Sequence, residues 1–265
     1  MNRLIKAEFR RLLATRMWSG LLFAAVLLGG GLMGAMALVG PENFDPPVPG
    51  LDTETGIRSI LGVLGYTAFV PAAVGTVGVT SEYRHRTAAV TFLFTPRRWQ
   101  VLAAKLATYG VAGLAYGLIL AGTGAAALFT VAAVRGVPLG LPAGTIVALL
   151  ARIGLAMVVY LLIGVGVGAL VRNQIAALAV VIGYLYMGET LLMMIPGVNR
   201  LYPVLPGGAT ASLTDFTYLA DAMTQELGSS AVQLLPPAAG ALLLLAYALA
   251  AASVAVVIPM RRDIT

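Results

Sequence analysis

Six stretches of this 265-residue chain are each long and apolar enough to cross about 30 Å of hydrocarbon, which takes a helix of about 20 residues. They lie at 19–39, 59–79, 105–134, 145–170, 174–195 and 238–258. Backbone amides and carbonyls inside a bilayer must be satisfied within the structure, so such runs form α-helices unless a β-barrel closes. None of the six shows the alternation of a barrel strand, which predicts an all-α membrane protein. Composition agrees, with 59% hydrophobic and 11% charged residues where a soluble domain carries about 25% charged. So few charges cannot cover a water-facing surface. A soluble enzyme, a disulfide-stapled secreted domain and a disordered chain are excluded.

The scarce polar chemistry narrows the choice further. Cysteine is absent and His85 is the single histidine, so thiolate sites and His-ligated metal clusters are ruled out. A formal net charge of +6 fits either nucleic acid or anionic lipid as a partner. The distribution decides between them. Of the 17 Lys and Arg residues, all except Arg58, Arg135, Arg200 and Arg152 fall in segments on the same side as the two termini, which is 13 of 17. Glu42, Asp45, Asp52, Glu54, Asp215, Asp221 and Glu226 fall on the other. The positive-inside rule then puts both termini in the cytoplasm of a multi-pass protein of the inner (plasma) membrane. With topology explaining the positive charge, no nucleic-acid partner is expected. The triplet Ala35-Met36-Ala37 imitates a signal-peptidase site, but the charged leader and the apolar run are both too long for a signal peptide.

Two segments on the basic side are patterned. In the leader, 2–17, Ile5, Phe9, Leu12 and Leu13 recur at helical spacing with Arg3, Lys6 and Arg10 roughly opposite. That is the pattern of an amphipathic helix lying in the membrane interface. Between the second and third runs, Thr80 or Ser81 is placed to cap a short helix with Glu82 in its first turn. Pro96 stops it, which predicts a helix over 81–96 with Tyr83, Val90 and Leu93 on one face. The plainer reading is a basic topogenic loop.

These pieces carry a resemblance. The leader Leu4-Ile5-Lys6-Ala7-Glu8-Phe9-Arg10, then Ser81-Glu82-Tyr83-Arg84-His85 with Thr87, then Thr95-Pro96-Arg97-Arg98 and Val101-Leu102-Ala103-Ala104-Lys105-Leu106 resemble the six-span permease subunits of ABC-2-type exporters, actinobacterial ones above all. Arg86 departs from the family, in which glycine often precedes the residue matching Thr87. The resemblance implies a single transmembrane domain, 1–265, that dimerises with a second copy or a paralogue and binds two cytoplasmic ABC ATPase subunits. It implies an elbow helix over the leader and a coupling helix over 81–96, with Glu82, Tyr83, Arg84, His85, Arg86, Thr87, Val90 and Leu93 engaging the ATPase. ATP and Mg would be held by the partner. The chain has no G-x-x-x-x-G-K-[ST] loop, and its lysines are only Lys6 and Lys105. It is therefore expected to be no enzyme and to hold no cofactor.

Two charges fall deep within the runs, Arg152 in the fourth and Glu189 in the fifth. The tight turn Val171-Arg172-Asn173-Gln174 makes these runs antiparallel neighbours. A lone charge at a helix centre costs about 2.5–3.5 kcal/mol on insertion scales. Three readings are open: a structural Arg152–Glu189 ion pair, a charge-lined outer cavity touching substrate, or separate snorkelling to the outer surface. The outer loop 196–237 is long and apolar, and the resemblance implies short helices re-entering the outer leaflet. The loop 40–58 reads as an ordinary connector. Gly30/Gly34, Gly113/Gly117 and Gly164/Gly168 have the G-x-x-x-G spacing of close helix contacts.

The resemblance implies export, and an interior rich in Ala, Val, Leu and Gly suits a hydrophobic or amphipathic compound, such as a drug, antibiotic, peptide or lipid. The alternative is a non-transporting scaffold or anchor subunit of a larger complex. An intramembrane enzyme lacks converging polar groups, and a secondary transporter lacks visible inverted repeats.

Overall fold

The computed structural model describes residues 2–44, 47–84, 98–171, 173–195, 197–216 and 233–261. These are helical almost throughout, with no strand among them. In chain order the helices are α1 (Asn2–Ala14), α2 (Met17–Val39), α3 (Glu54–Tyr66), α4 (Phe69–Arg84), α5 (Arg98–Arg135), α6 (Ala143–Leu170), α7 (Gln174–Met194), α8 (Pro206–Thr214) and α9 (Pro237–Arg261). Six helical stretches are long and apolar enough to cross a membrane: α2, α3 with α4, α5, α6, α7 and α9. They match the six apolar runs. The second begins at Glu54, ahead of the expected residue 59, so part of the presumed loop 40–58 belongs to a span.

Local chemistry sets the boundaries. Thr53 Oγ1 accepts from the Gly56 amide at 3.1 Å and caps α3. Asn173 Oδ1 does the same for α7, taking the amides of Ile175 and Ala176 at 3.0 and 3.1 Å. The second span breaks at Thr67 and Ala68, just before Pro71, which has no amide to donate back into a continuous helix. Pro206 opens α8, and Asp215 in the left-handed conformation closes it at φ 57°. Trp18 and Trp99 lie half exposed near the starts of α2 and α5, the level of a membrane interface.

The helix α6 is the centre of the bundle, packing against α4, α5 and α9, while α2 leans on α5 and α7 on α4. Two glycine contacts let backbones meet. Gly117 of α5 lies against Gly154 of α6, and Gly164 and Gly168 of α6 lie against Ala72 and Thr76 of α4. Thr76 Oγ1 donates to the Gly164 carbonyl across the second contact at 3.1 Å. Gly34 lies against Ala127 of α5. The G-x-x-x-G pairs are thus spent inside the chain. Phe23, Leu118, Ile175 and Leu242 are more than two-thirds exposed on the bundle's outside, a surface that suits lipid.

At the end away from the termini, charges clasp the connections. Arg135 donates to the Ala37 carbonyl at the end of α2 and to Glu42, both at 2.7 Å. The Arg135 hydrogen bond holds the Glu42 carboxyl below its usual range. Arg58 bridges Glu54 and Asp215, each at 2.7 Å, tying α3 to the end of α8.

Candidate functional site

The strongest polar constellation sits at the end of the bundle that carries the termini. Lys105, about two turns into α5, is 2% exposed. Its Nζ donates to Glu8 Oε2 of α1 at 3.0 Å and to Glu82 Oε1 of α4 at 2.6 Å. Arg11 of α1 donates to the same Glu82 oxygen at 2.7 Å and lies 3.4 Å from Glu8. The Tyr109 ring is 5.8 Å from Nζ, close enough for a cation–π contribution. Two carboxylates and two cations cancel in charge, and mutual bonding offsets the desolvation of Lys105 and Glu8, the two buried members. Three helices are joined: α1, the last turn of α4 and the first turns of α5.

Of the eight residues expected to engage an ATPase, Glu82 is therefore a member of this network. Tyr83 packs at the edge of the core and Arg84 is exposed. His85, Arg86, Thr87, Val90 and Leu93 lie outside the described residues, as does most of the helix expected over 81–96. One part of that expectation is corrected. Thr80 and Ser81 do not cap a new helix, because α4 runs through them to Arg84. Their hydroxyls donate back to the carbonyls of Thr76 and Gly78, as mid-helix Thr and Ser do. The leader forms its own helix, with Glu8 and Leu12 buried and Leu13 exposed. Its buried stripe therefore runs through an acid. Glu8 at i+3 from Ile5 and i−4 from Leu12 was the sequence signal for this, an anion where the periodicity called for an apolar residue.

A second constellation lies in the half of the bundle toward the other end. Within α7 the residues Tyr184–Gly188 form a π turn, whose extra residue rotates the remainder of the helix by about 100°. Glu189 comes directly after the turn and is 4% exposed. The Gly207 amide, in the first turn of α8, donates to both its carboxylate oxygens at 2.8 and 3.1 Å. The helix N-terminus adds its partial positive charge. Any side chain at Gly207 would collide with this carboxylate. The expected Arg152–Glu189 ion pair is not formed. Arg152 is exposed on α6, and among the described residues no ion pair joins it to any carboxylate, while α8 supplies Glu189 with its partner. The 196–237 segment thus contributes a helix, α8, nearly all of whose residues are buried beside α9 and α6.

Glu189 lines a cleft open to the outside, walled by Tyr66, Tyr160, Tyr186, Tyr202, Thr210 and Phe216, with Gly62 and Gly65 also lining it. Tyr66 and Tyr186 are 44% and 42% exposed and frame its mouth, joined by a 2.9 Å bond from the Tyr186 hydroxyl to the Tyr66 carbonyl. Tyr160 donates or accepts at 3.1 Å with Thr210 in the wall. Among the described residues no group of His, Asp and Glu could hold a metal ion. The chain matches no protein-family model and no curated protein.

Proposed function

We propose that this chain is the membrane-spanning subunit of an ATP-driven exporter of the ABC-2 type, working as a dimer with two separate cytoplasmic ATPase subunits. The observation that carries this reading is the Glu8–Lys105–Glu82–Arg11 network, built around the buried Lys105 and Glu8. It fastens α1, as an elbow helix in the inner interface, to both helices that lead into and out of segment 85–97. A pull on that segment would reach α4, α5 and α1 together, because a charge-neutral ion cluster built around a buried lysine resists being opened one bond at a time. A scaffold subunit has no use for such a mechanical joint. The basic residues at this end favour the cytoplasm, where ATP is. The buried α8, with the 3₁₀ turn Val198–Val204 before it, would then be a re-entrant element closing the pathway on the outside.

The test is to ask whether an adjacent gene encodes a P-loop ATPase, co-express such a subunit with this chain, and purify through a tag on this chain. The expected result is a stable complex whose ATP hydrolysis falls at least tenfold when 85–97 is replaced by a Gly/Ser linker. If no ATPase co-purifies, or if the chain alone drives transport in vesicles, the reading is wrong.

A further inference from the structure

We infer that the cleft at Glu189 binds a hydrophobic organic cation, an ammonium or similar group carried on an apolar body. As a substrate site this rests on the export reading, but as a binding site it stands on the geometry alone. The charge argument comes first. Glu189 is 4% exposed in the membrane-spanning part of the bundle, and no Lys or Arg pairs with it among the described residues. Its protein partners are the Gly207 amide, which reaches both oxygens, and the Tyr184 hydroxyl, which donates to the carboxylate. A helix N-terminus supplies about half a positive charge, so compensation is incomplete. A carboxylate also has about four acceptor positions, and these two neutral donors leave the charge uncancelled and room for a cationic one.

The walls select what could complete it. Tyr66, Tyr160, Tyr184, Tyr202 and Tyr247 all lie close enough to interact electrostatically with the carboxylate. Four tyrosines and Phe216 line the cleft itself. Aromatic faces attract a cation and, where water is excluded, do so most strongly for poorly hydrated alkylammonium groups. They repel an anion, as does Glu189. An inorganic cation would need a shell of several oxygen ligands, preferably charged, whereas these walls offer one carboxylate, neutral hydroxyls and broad aromatic faces. Tyr160 and Leu185 also border a second, shallow apolar hollow walled by Ile163, Val167, Val180 and Val181. An apolar body therefore has apolar surface beside the charged seat.

The probe is benzyltrimethylammonium, whose charge does not titrate, measured by equilibrium dialysis against the purified chain in nanodiscs of zwitterionic lipid. Empty nanodiscs supply the background. Saturable binding is expected, weakened at least tenfold by Glu189→Gln. Glutamine keeps an acceptor for the Gly207 amide, so the α8 junction is retained. Tyr66→Leu leaves Glu189 and Gly207 untouched and should weaken binding about fivefold through the lost cation–π face. Benzoate should not compete. Equal affinity of the parent chain and Glu189→Gln would overturn the site, as would unsaturable uptake or displacement by benzoate. Should Glu189→Gln lose its thermal transition, Tyr66→Leu decides: unchanged affinity there overturns the site. Glu189-dependent binding by a chain that recruits no ATPase would sink the export reading alone. A working ATP-driven complex with a Glu189-independent cation affinity would sink this inference alone.

Discussion

Lys105 is the residue on which most depends. Its charge is held by two carboxylates from different helices, so Lys105→Met would leave Glu8 and Glu82 facing each other with only the more exposed Arg11 to share. Breaking a buried pair from one side costs about 3–5 kcal/mol, and thermal unfolding in detergent should show a loss of that size. The triple variant Glu8→Gln/Glu82→Gln/Lys105→Met should recover much of it, because the charge that remains, Arg11, is 42% exposed and can be solvated. Equal losses in the single and triple variants would show that packing, rather than charge, is what Lys105 supplies. Arg152 and Glu189 differ in kind. Both looked costly in sequence, yet one is buried against a helix N-terminus and the other lies on the bundle surface, where a long side chain can reach the headgroups.

At the scale of helices, glycine placement decides which elements can be neighbours. At Gly117 a Cβ would run into the Gly154 backbone of α6, whereas at Gly122 it would meet nothing within 4 Å. Both stand in the same helix, five residues apart. Gly117→Val should therefore cost at least about 1–3 kcal/mol, the penalty for overpacking, since backbone cannot swing aside as a side chain can. Gly122→Ala should be neutral or stabilising by up to about 1 kcal/mol through helix propensity. Yield and thermal midpoint of the two variants check this, and similar effects at both sites would refute the α5–α6 contact. The π turn of α7 acts on the same scale. It turns Glu189 inward to α8, at the expense of regular hydrogen bonding over Tyr184–Gly188.

For the whole molecule, the sorting of charges gives a direct test of orientation. The chain has no cysteine, so single cysteines report without background. Ala7→Cys on α1 and Asp52→Cys ahead of α3 are exposed positions at opposite ends of the bundle. In intact cells Asp52→Cys should react with a membrane-impermeant maleimide and Ala7→Cys only after permeabilisation. The reverse pattern would invert the topology and remove the network at Lys105 from reach of a cytoplasmic ATPase. The clasps of Arg135 and Arg58 would then be cytoplasmic too, an outcome that the scarcity of basic residues at that end argues against.

The number and place of the six spans were legible in the sequence because hydrocarbon imposes a length and an apolarity on each segment by itself, with no reference to neighbours. Helix ends at Thr53 and Asn173 are equally local, since a cap is a contact between residues two or three apart. What only the tertiary structure decided is which charges meet. Glu8, Glu82 and Lys105 are 23 to 97 residues apart, and nothing in their spacing joins them. The same limit misdirected the pairing of Arg152 with Glu189. Antiparallel neighbours sharing a turn made that ion pair reasonable, but the π turn shifted the register of α7, and the buried α8 presented a closer donor. Hydropathy acts on a segment alone and can be read from it. A bond between distant side chains depends on rotation, register and the third element packed between them, and those exist only once the helices have assembled.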